Sequence, residues 1–154
     1  MINSSVELPS LYFAAPLFSE AELAFNLQVA KKLDRWFDTY LPQRDGGLLV
    51  DLVRRGVRTE DAYKSVFDRD VAALKSCDVC LVVLDGRSID EGVSFELGFA
   101  YSLGKLCVGL QTDSRRLLPL GNNPMIQCAL NEVFPDSSTL LLWAEKYRFT
   151  LRSY

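Results

Sequence analysis

The sequence predicts one α/β domain, a three-layer sandwich with helices on both faces of a central parallel sheet. Residues 11–15, 79–84 and 106–110 are apolar throughout, as expected of strands that helices cover on both faces. These runs alternate with longer segments of helical periodicity. With 154 residues and a hydrophobic fraction of 49%, the chain can bury a sizeable core, and no shift in composition marks a boundary within residues 1–154.

The first strand ends at Pro16, and Ser19 is a suitable N-cap for the helix that follows. Apolar residues at spacings of three and four continue as far as Phe37, so we expect this helix to end shortly before Pro42. Residues 41–47 are rich in turn-forming residues and predict a loop.

A second long helix is predicted to begin at Thr59. Residues 48–58 before it have an ambiguous pattern that allows a short helix ended by Gly56. Asp70 falls on the apolar stripe of this helix, three residues after Phe67 and four before Leu74. A carboxylate at such a position lies either at the rim of the core or in a functional site, and the stripe alone leaves both open.

The helix predicted between Gly92 and Gly104 is apolar on nearly every side and carries one charged residue, Glu96. We expect most faces of such a helix to be buried. A buried carboxylate is costly unless it is paired, hydrogen-bonded or functional, which makes Glu96 the first candidate site residue. Its place early in the helix favours the charged form, because a helix N-terminus stabilises anions.

The chain continues after its third apolar strand with a loop over residues 111–123, a short helix from Pro124 and a final helix over about residues 139–149. The short helix is expected to reach about residue 130. In sheets of this kind, ligands bind beyond the carboxyl ends of the strands. Residues 16–19 and 85–90 follow two of the strands and should lie at that edge.

Composition excludes several classes of function. Seventeen Lys and Arg residues against twenty Asp and Glu residues give a net charge of -3, which argues against a nucleic-acid-binding surface. No apolar run has membrane-spanning length and the N-terminus has no signal-peptide pattern, so we expect a cytoplasmic protein without a membrane partner. The P-loop and dinucleotide-binding glycine motifs are both missing.

The sequence contains no histidine, which excludes His-dependent triads and most zinc sites. Its four cysteines, Cys77, Cys80, Cys107 and Cys128, fit reduced packing residues better than a redox pair. Acid–base chemistry must therefore depend mainly on carboxylates and tyrosines, and we expect neither a metal nor a cofactor.

A set of carboxylates remains near the predicted edge of the sheet: Asp70, Asp85, Asp90, Glu91 and Glu96. Two carboxylates in different environments can break a glycosidic bond, one as nucleophile and the other as acid. Glu96 suits the nucleophile, and Asp70 or Asp90, whichever is drier, suits the acid. These residues alone predict a carboxylate site at the edge of an α/β sheet and do not identify its substrate.

Several short segments, in order along the chain, also resemble a known family. They are residues 11–19, 68–71, 85–87 with 90–92, 95–100, 104–105 and 123–125. The most specific of them is the pattern E-L-G-x-A-x-x-x-G-K, which begins at Glu96 and has D-E-G before it. Through these segments the chain resembles the nucleoside 2-deoxyribosyltransferases.

The resemblance implies a flavodoxin-like fold with a five-stranded parallel sheet and an enzyme that moves 2-deoxyribose between nucleobases through a covalent intermediate. Glu96 matches the nucleophile of that family, and Tyr12 matches the tyrosine that orients it. Asp90 matches an acidic residue that contacts the sugar, and Asp70 matches the other acid of the site. Either aspartate is a candidate proton donor to the departing base.

The resemblance further implies substrate contacts by Phe18, Gln43, Asn123 and Met125. Gln43 would contact the base, and Asn123 would reach the 5′ side of the sugar from a neighbouring subunit. A homo-oligomer, from dimer to hexamer, is therefore expected, with deoxynucleosides and free nucleobases as its small-molecule partners. Without the resemblance, Tyr12 reads equally well as a core tyrosine, Asp90 as a helix cap and Asn123 as a turn residue.

Two other functions stay open. A hydrolase of deoxynucleosides or of their 5′-monophosphates would use the same residues, with Arg44, Arg115 or Arg116 as phosphate contacts, and a transferase would itself have some hydrolase activity. A nucleotide-sensing or response-regulator-like module would use Asp85 as its modified residue. Such a module needs an acidic pocket after the first strand, where this sequence has alanines.

Overall fold

The computed structural model describes residues 7–115 and 120–151. Within these ranges five parallel strands form one sheet: β1 (Ser10–Ala14), β2 (Asp38–Tyr40), β3 (Val79–Val83), β4 (Leu106–Leu110) and β5 (Glu132–Phe134). Their order across the sheet is β2-β1-β3-β4-β5. The α-helices are α1 (Glu20–Leu33), α2 (Leu49–Arg54), α3 (Thr59–Ser76), α4 (Glu91–Ser102), α5 (Pro124–Gln127) and α6 (Ser137–Leu151). This strand order is that of flavodoxin-like proteins, so the predicted fold is confirmed.

The sheet separates two cores, and β1 contributes alternate residues to each. Leu11 and Phe13 pack in the core that α1 and α6 cover. Tyr12 and Ala14 point to the opposite face and pack in the core that α3 and α4 cover. The order of strands reverses between β1 and β3, and it is beyond the carboxyl ends of these two strands that the fold provides a crevice for ligands.

Two strands were absent from the sequence-based assignment of elements, and the first lies where a helix was expected. Helix α1 begins after Ser19 with a capping box that includes Glu22, as predicted, but it ends at Leu33. Strand β2 then follows within the region expected to be helical. The apolar spacing that suggested a longer helix has another cause, because Phe37 is buried and stacks on Trp143 of α6 at 6.0 Å.

The second missed strand, β5, pairs with β4 at the edge of the sheet. It has three residues, too few to show a period, and it follows α5, which ends at Gln127 rather than near residue 130. The other elements agree with prediction: a short helix lies within residues 48–58, and α3 begins at Thr59. No helix in the described part of the chain is long and apolar enough to cross a membrane.

Helix α4 is buried on one side only, which corrects the expectation that most of its faces would be covered. Val93, Leu97 and Ala100 face the core, whereas Phe95 and Tyr101 are exposed in the single chain. The predicted packing role of the cysteines is confirmed for Cys77, Cys80 and Cys107, which are buried free thiols, while Cys128 is exposed.

Candidate active site

The centre of the candidate site is a hydrogen bond between Tyr12 and Glu96. Tyr12 is fully buried in β1, and its Oη donates to Glu96 Oε1 at 2.5 Å. Glu96 lies in the second turn of α4, on the same side of the sheet. The structure thus joins two residues that are 84 positions apart in sequence and that the family resemblance paired.

Glu96 has a pKa raised from its ordinary value of 4.5 to about 7. Burial is the main cause, because it disfavours the charged form, and the charges of Asp70 and Asp90 add to it. The hydrogen bond from Tyr12 acts in the opposite direction. The net rise of the Glu96 pKa was not predicted from the sequence, which shows the start of the helix but not the burial of the carboxyl group.

Tyr12 remains a hydrogen-bond donor throughout the physiological pH range. Burial raises its pKa well above the usual value for tyrosine, and the neighbouring carboxylates of Glu96 and Asp70 raise it further. The phenol therefore keeps its proton and directs it at Glu96, which fixes one oxygen of that carboxyl group and leaves the other for chemistry.

A second tyrosine–carboxyl pair lies beside the first. Tyr40 Oη, from β2, donates to Asp70 Oδ1 of α3 at 3.0 Å. The rings of Tyr40 and Tyr12 stack with their centroids 5.5 Å apart, because the two residues are register partners on adjacent strands. Sequence reasoning missed Tyr40, since it was expected at the end of a helix.

Asp70 is partly buried, as its place on the apolar stripe suggested. Burial raises its pKa above the ordinary value, while the Tyr40 hydrogen bond and the charge of Arg69 oppose that rise. Two carboxyl groups with raised pKa, Glu96 and Asp70, therefore lie close enough to interact electrostatically.

Asp90 has a different environment. It is the N-cap of α4, and its Oδ1 accepts a hydrogen bond from the backbone N–H of Val93 at 3.0 Å. The helix-cap interpretation of this residue is thus correct, and its charge also acts on Glu96. Its Oδ2 accepts no hydrogen bond from the described residues, so that oxygen is free to bind a hydroxyl group.

Residues 42–46 form a π-helical turn that follows β2 and closes over the Tyr40–Asp70 pair. Gly46 is the point of contact: a Cβ there would lie 2.7 Å from Tyr40 Oη and 3.0 Å from Asp70 Oδ1. Arg69, next to Asp70, donates to the Gly46 carbonyl at 3.1 Å and holds the turn in place.

Gln43, the predicted base contact, lies in this turn with both ends of its amide already engaged. Its Nε2 donates to the Leu23 carbonyl at 2.9 Å, and its Oε1 accepts from Asn26 Nδ2 at 3.0 Å. Asn26 is itself buried and also donates to the Pro16 carbonyl at 2.8 Å. In this arrangement Gln43 anchors the turn to α1.

The other predicted substrate contacts lie on the surface of the single chain. Phe18 is 78% exposed and Met125 is 80% exposed. Asn123 caps α5, with its Oδ1 accepting from the Met125 N–H at 2.9 Å. Within the described residues no hydrogen bond links Asn123 to Tyr12 or Glu96.

The remaining candidates have structural partners. Asp85 accepts hydrogen bonds from Thr112 N, Thr112 Oγ1 and Asp113 N, so it ties together the loops after β3 and β4. Arg44 pairs with Asp34 and Asp45, while Arg115 pairs with Asp113. Arg116 lies outside the described residues. In the part of the chain that is described, no group of three potential metal ligands occurs.

A family model described as nucleoside 2-deoxyribosyltransferase matches residues 11–141. No curated protein matches the sequence. The solved structure of a conserved protein from Enterococcus faecalis V583 is 27% identical, with a TM-score of 0.69 over 91% of this chain and 99% of that one.

Two further structures share the fold at lower identity. The 2-deoxyribosyltransferase from Bacillus psychrosaccharolyticus is 24% identical, with a TM-score of 0.67 over 86% of this chain and 90% of that one. A CMP N-glycosidase from Clostridium botulinum is 15% identical, with a TM-score of 0.54 over 90% of this chain and 99% of that one.

Proposed function

The chain belongs to the nucleoside 2-deoxyribosyltransferase family, and we propose that it transfers 2-deoxyribose from a deoxynucleoside to a free nucleobase through an ester on Glu96. The observation that carries this mechanism is the Tyr12–Glu96 hydrogen bond beside the Tyr40–Asp70 pair. Together they provide an oriented nucleophile and a second carboxyl group of raised pKa, the two groups that a retaining glycosyl transfer requires. We assign the reaction to nucleotide salvage in the cytoplasm.

The first half-reaction forms the covalent intermediate. An oxygen of the Glu96 carboxylate attacks C1′ of the sugar, and the bond from C1′ to the base nitrogen breaks. The base leaves with the proton of Asp70, so that Asp70 becomes a carboxylate. In the second half-reaction another base attacks C1′, the ester bond to Glu96 breaks, and Asp70 recovers a proton from the incoming base.

Asp70 suits the proton donor better than Asp90. Burial raises the pKa of the Asp70 carboxyl, whereas Asp90 holds the backbone at the start of α4. A helix cap is best made by a charged carboxylate, and the unbonded oxygen of Asp90 suits a sugar hydroxyl. Turnover by this route requires an ionised Glu96 together with a protonated Asp70, and burial of Asp70 favours its protonated form.

A second copy of the chain completes the site in this proposal. Met125 and Phe18 are largely exposed, and the rings of Phe67 and Phe95, which contact each other in a tilted arrangement with centroids 6.2 Å apart, are each more than half exposed. Exposed aromatic and apolar side chains in such number support burial against another subunit. That subunit would supply Asn123 to the 5′ side of the sugar.

A hydrolase is the second candidate function. The Clostridium botulinum neighbour is a CMP N-glycosidase, and a fold of this kind therefore also hosts cleavage of a base from a nucleotide. In this chain, water in place of the second base would resolve the same ester. A deoxynucleoside would then yield free deoxyribose, and a 5′-monophosphate would yield deoxyribose 5-phosphate.

Chromatography of a reaction with deoxyinosine as donor, with and without free adenine, distinguishes these functions. A transferase forms deoxyadenosine as deoxyinosine disappears and releases little free sugar. Release of deoxyribose at one rate with or without adenine indicates the hydrolase, and deoxynucleoside 5′-monophosphates are then tested as donors. No turnover of either kind of donor would contradict both proposals, and the Glu96→Gln variant serves as the blank.

A further inference from the structure

We infer that Tyr40 is a positioning residue that holds Asp70 in the orientation needed for proton transfer to the departing base. This inference rests on the proposed function, and it concerns a residue that the sequence patterns did not single out. The observation that motivates it is the 3.0 Å hydrogen bond from Tyr40 Oη to Asp70 Oδ1, which lies beside the Tyr12–Glu96 bond.

The two carboxyl groups, of Glu96 and Asp70, are held by the same kind of contact. In each pair a tyrosine on a strand donates to a carboxyl group on a helix, and the two tyrosine rings stack at an interplanar angle of 21°. Because Tyr12 and Tyr40 are register partners on β1 and β2, the sheet fixes the spacing between the phenols. It thereby constrains the relative placement of Glu96 and Asp70.

The turn over residues 42–46 adds a second constraint on the Tyr40–Asp70 pair. A Cβ at Gly46 would lie 2.7 Å from Tyr40 Oη and 3.0 Å from Asp70 Oδ1, so the pair occupies space beside the turn that only a glycine leaves open. A free, solvated aspartate would sample several rotamers, whereas Asp70 is held in one by a strand, a turn and its own helix.

The hydroxyl of Tyr40 also affects the protonation of Asp70. A donated hydrogen bond favours the carboxylate, so it lowers the pKa of Asp70 against the rise that burial causes. Two charged groups act on the Tyr40–Asp70 pair from outside it, Arg69 on the same helix and Asp45 in the turn. The neighbouring Tyr12–Glu96 pair is affected by Asp70, by Asp90 at the start of α4 and by Cys80 on β3.

The test is Tyr40→Phe, which removes the hydroxyl group and keeps the ring. We expect kcat to fall about tenfold to a hundredfold with a nearly unchanged KM, since the loss concerns proton transfer rather than substrate binding. The part of the pH–rate profile that reports deprotonation of Asp70 should move to higher pH, because the lost hydrogen bond lowers the pKa of that carboxyl group in the wild type. Tyr147→Phe is the matched control, because Tyr147 is also a partly buried, stacked tyrosine but lies on the opposite face of the sheet.

A second measurement does not depend on turnover. The carboxyl ¹³C resonance of Asp70, identified by its loss in Asp70→Asn, is titrated in the wild type and in Tyr40→Phe. We expect a higher midpoint in the variant. An unchanged midpoint would overturn the inference even if kcat fell, because Tyr40 would then act through packing alone. If the wild type had no turnover, the proposed function would fail while this titration still tested the contact.

Gly46→Ala perturbs the contact between Tyr40 and Asp70 from the side of the turn. Its added methyl group meets Tyr40 Oη, so we expect a loss of kcat similar to that of Tyr40→Phe. In the double variant the phenol oxygen is absent, and the loss should be smaller than the product of the two single losses. Fully multiplicative losses would overturn the inference, since they would mean that Gly46 and Tyr40 act independently.

Discussion

Tyr12 Oη lies 2.5 Å from Glu96 Oε1, a contact that joins the first strand of the sheet to the helix after its third strand. The donor is fully buried and the acceptor has a pKa of about 7. A carboxyl group that titrates near neutral pH is unstable as an anion in this place, and its ionised form is correspondingly reactive.

The first prediction concerns stability. Folding raises the pKa of Glu96 from 4.5 to about 7. Its effect on the free energy of unfolding is therefore most favourable below pH 4.5, where the group is protonated in both states, and this advantage is lost as the pH rises to 7. Glu96→Gln cannot ionise, so it should be more stable than the wild type at pH 8, by up to about 3 kcal/mol, and close to it at pH 4.5. Urea unfolding at both pH values measures this difference.

Glu91→Gln is the matched control for that experiment, since Glu91 is an exposed residue in the first turn of the same helix. If Glu96→Gln gave the same stability relative to the wild type at both pH values, the carboxyl group would not carry the predicted penalty on ionisation.

The second prediction concerns the rate of reaction at low pH. The nucleophile must be ionised, so kcat/KM should fall below pH about 7, approaching tenfold per pH unit. Tyr12→Phe removes a hydrogen bond that lowers the pKa of Glu96, and the acid limb should therefore move to higher pH. The loss relative to the wild type should be greater at pH 6 than at pH 9. A uniform loss at all pH values would mean that Tyr12 does not affect the ionisation of Glu96.

The third prediction separates the two aspartates. Asp70→Asn should lose at least about a hundredfold in kcat with a natural deoxynucleoside, because the base then departs unprotonated. With p-nitrophenyl 2-deoxyriboside, whose leaving group is stable as an anion, most of that loss should disappear. Asp90→Asn should be impaired with both donors if Asp90 has the proposed role of binding the sugar. If the p-nitrophenyl donor restored the activity of Asp90→Asn and not that of Asp70→Asn, the roles proposed for the two aspartates would have to be exchanged.

The fourth prediction concerns the contribution of a second subunit. Glu96→Ala and Asn123→Ala should each be inactive alone, but co-expressed chains should form mixed oligomers in which some sites carry both native residues. In randomly mixed dimers about a quarter of all sites would be intact, and activity should recover to that extent. Purified mixed oligomers with no recovered activity would show that Asn123 acts within its own chain or not at all.

The sequence was sufficient to predict those parts of the fold whose residue patterns are long and distinctive. The apolar runs of β1, β3 and β4 and the periodic stripes of α1 and α3 identified the layers. Strands β2 and β5 have three residues each, and such short segments have no measurable period. In β2, moreover, apolar residues just before the strand continued the spacing of α1, so that region looked helical.

The candidate site also contains some residues that the sequence pattern identified and others that only the structure revealed. Glu96 was identified because a single charge in an apolar helix is conspicuous, and Asp70 because it interrupts a stripe. Tyr40 has no such signal, since its role depends on the pairing of β2 with β1 and on the approach of Gly46. The raised pKa of Glu96 could not be predicted from the sequence either, because it results from a balance between burial and a hydrogen bond that only the packed structure determines.

The most direct test of the mechanism is the intact mass of the protein after brief mixing with deoxyinosine in the absence of an acceptor base, followed by acid quench. A population heavier by one 2-deoxyribosyl group is expected, with the modification located by peptide mapping on Glu96. The same experiment on Glu96→Gln should give the unmodified mass. Turnover of deoxyinosine by Glu96→Gln at the wild-type rate, or a label on another residue, would contradict the role of Glu96 as nucleophile.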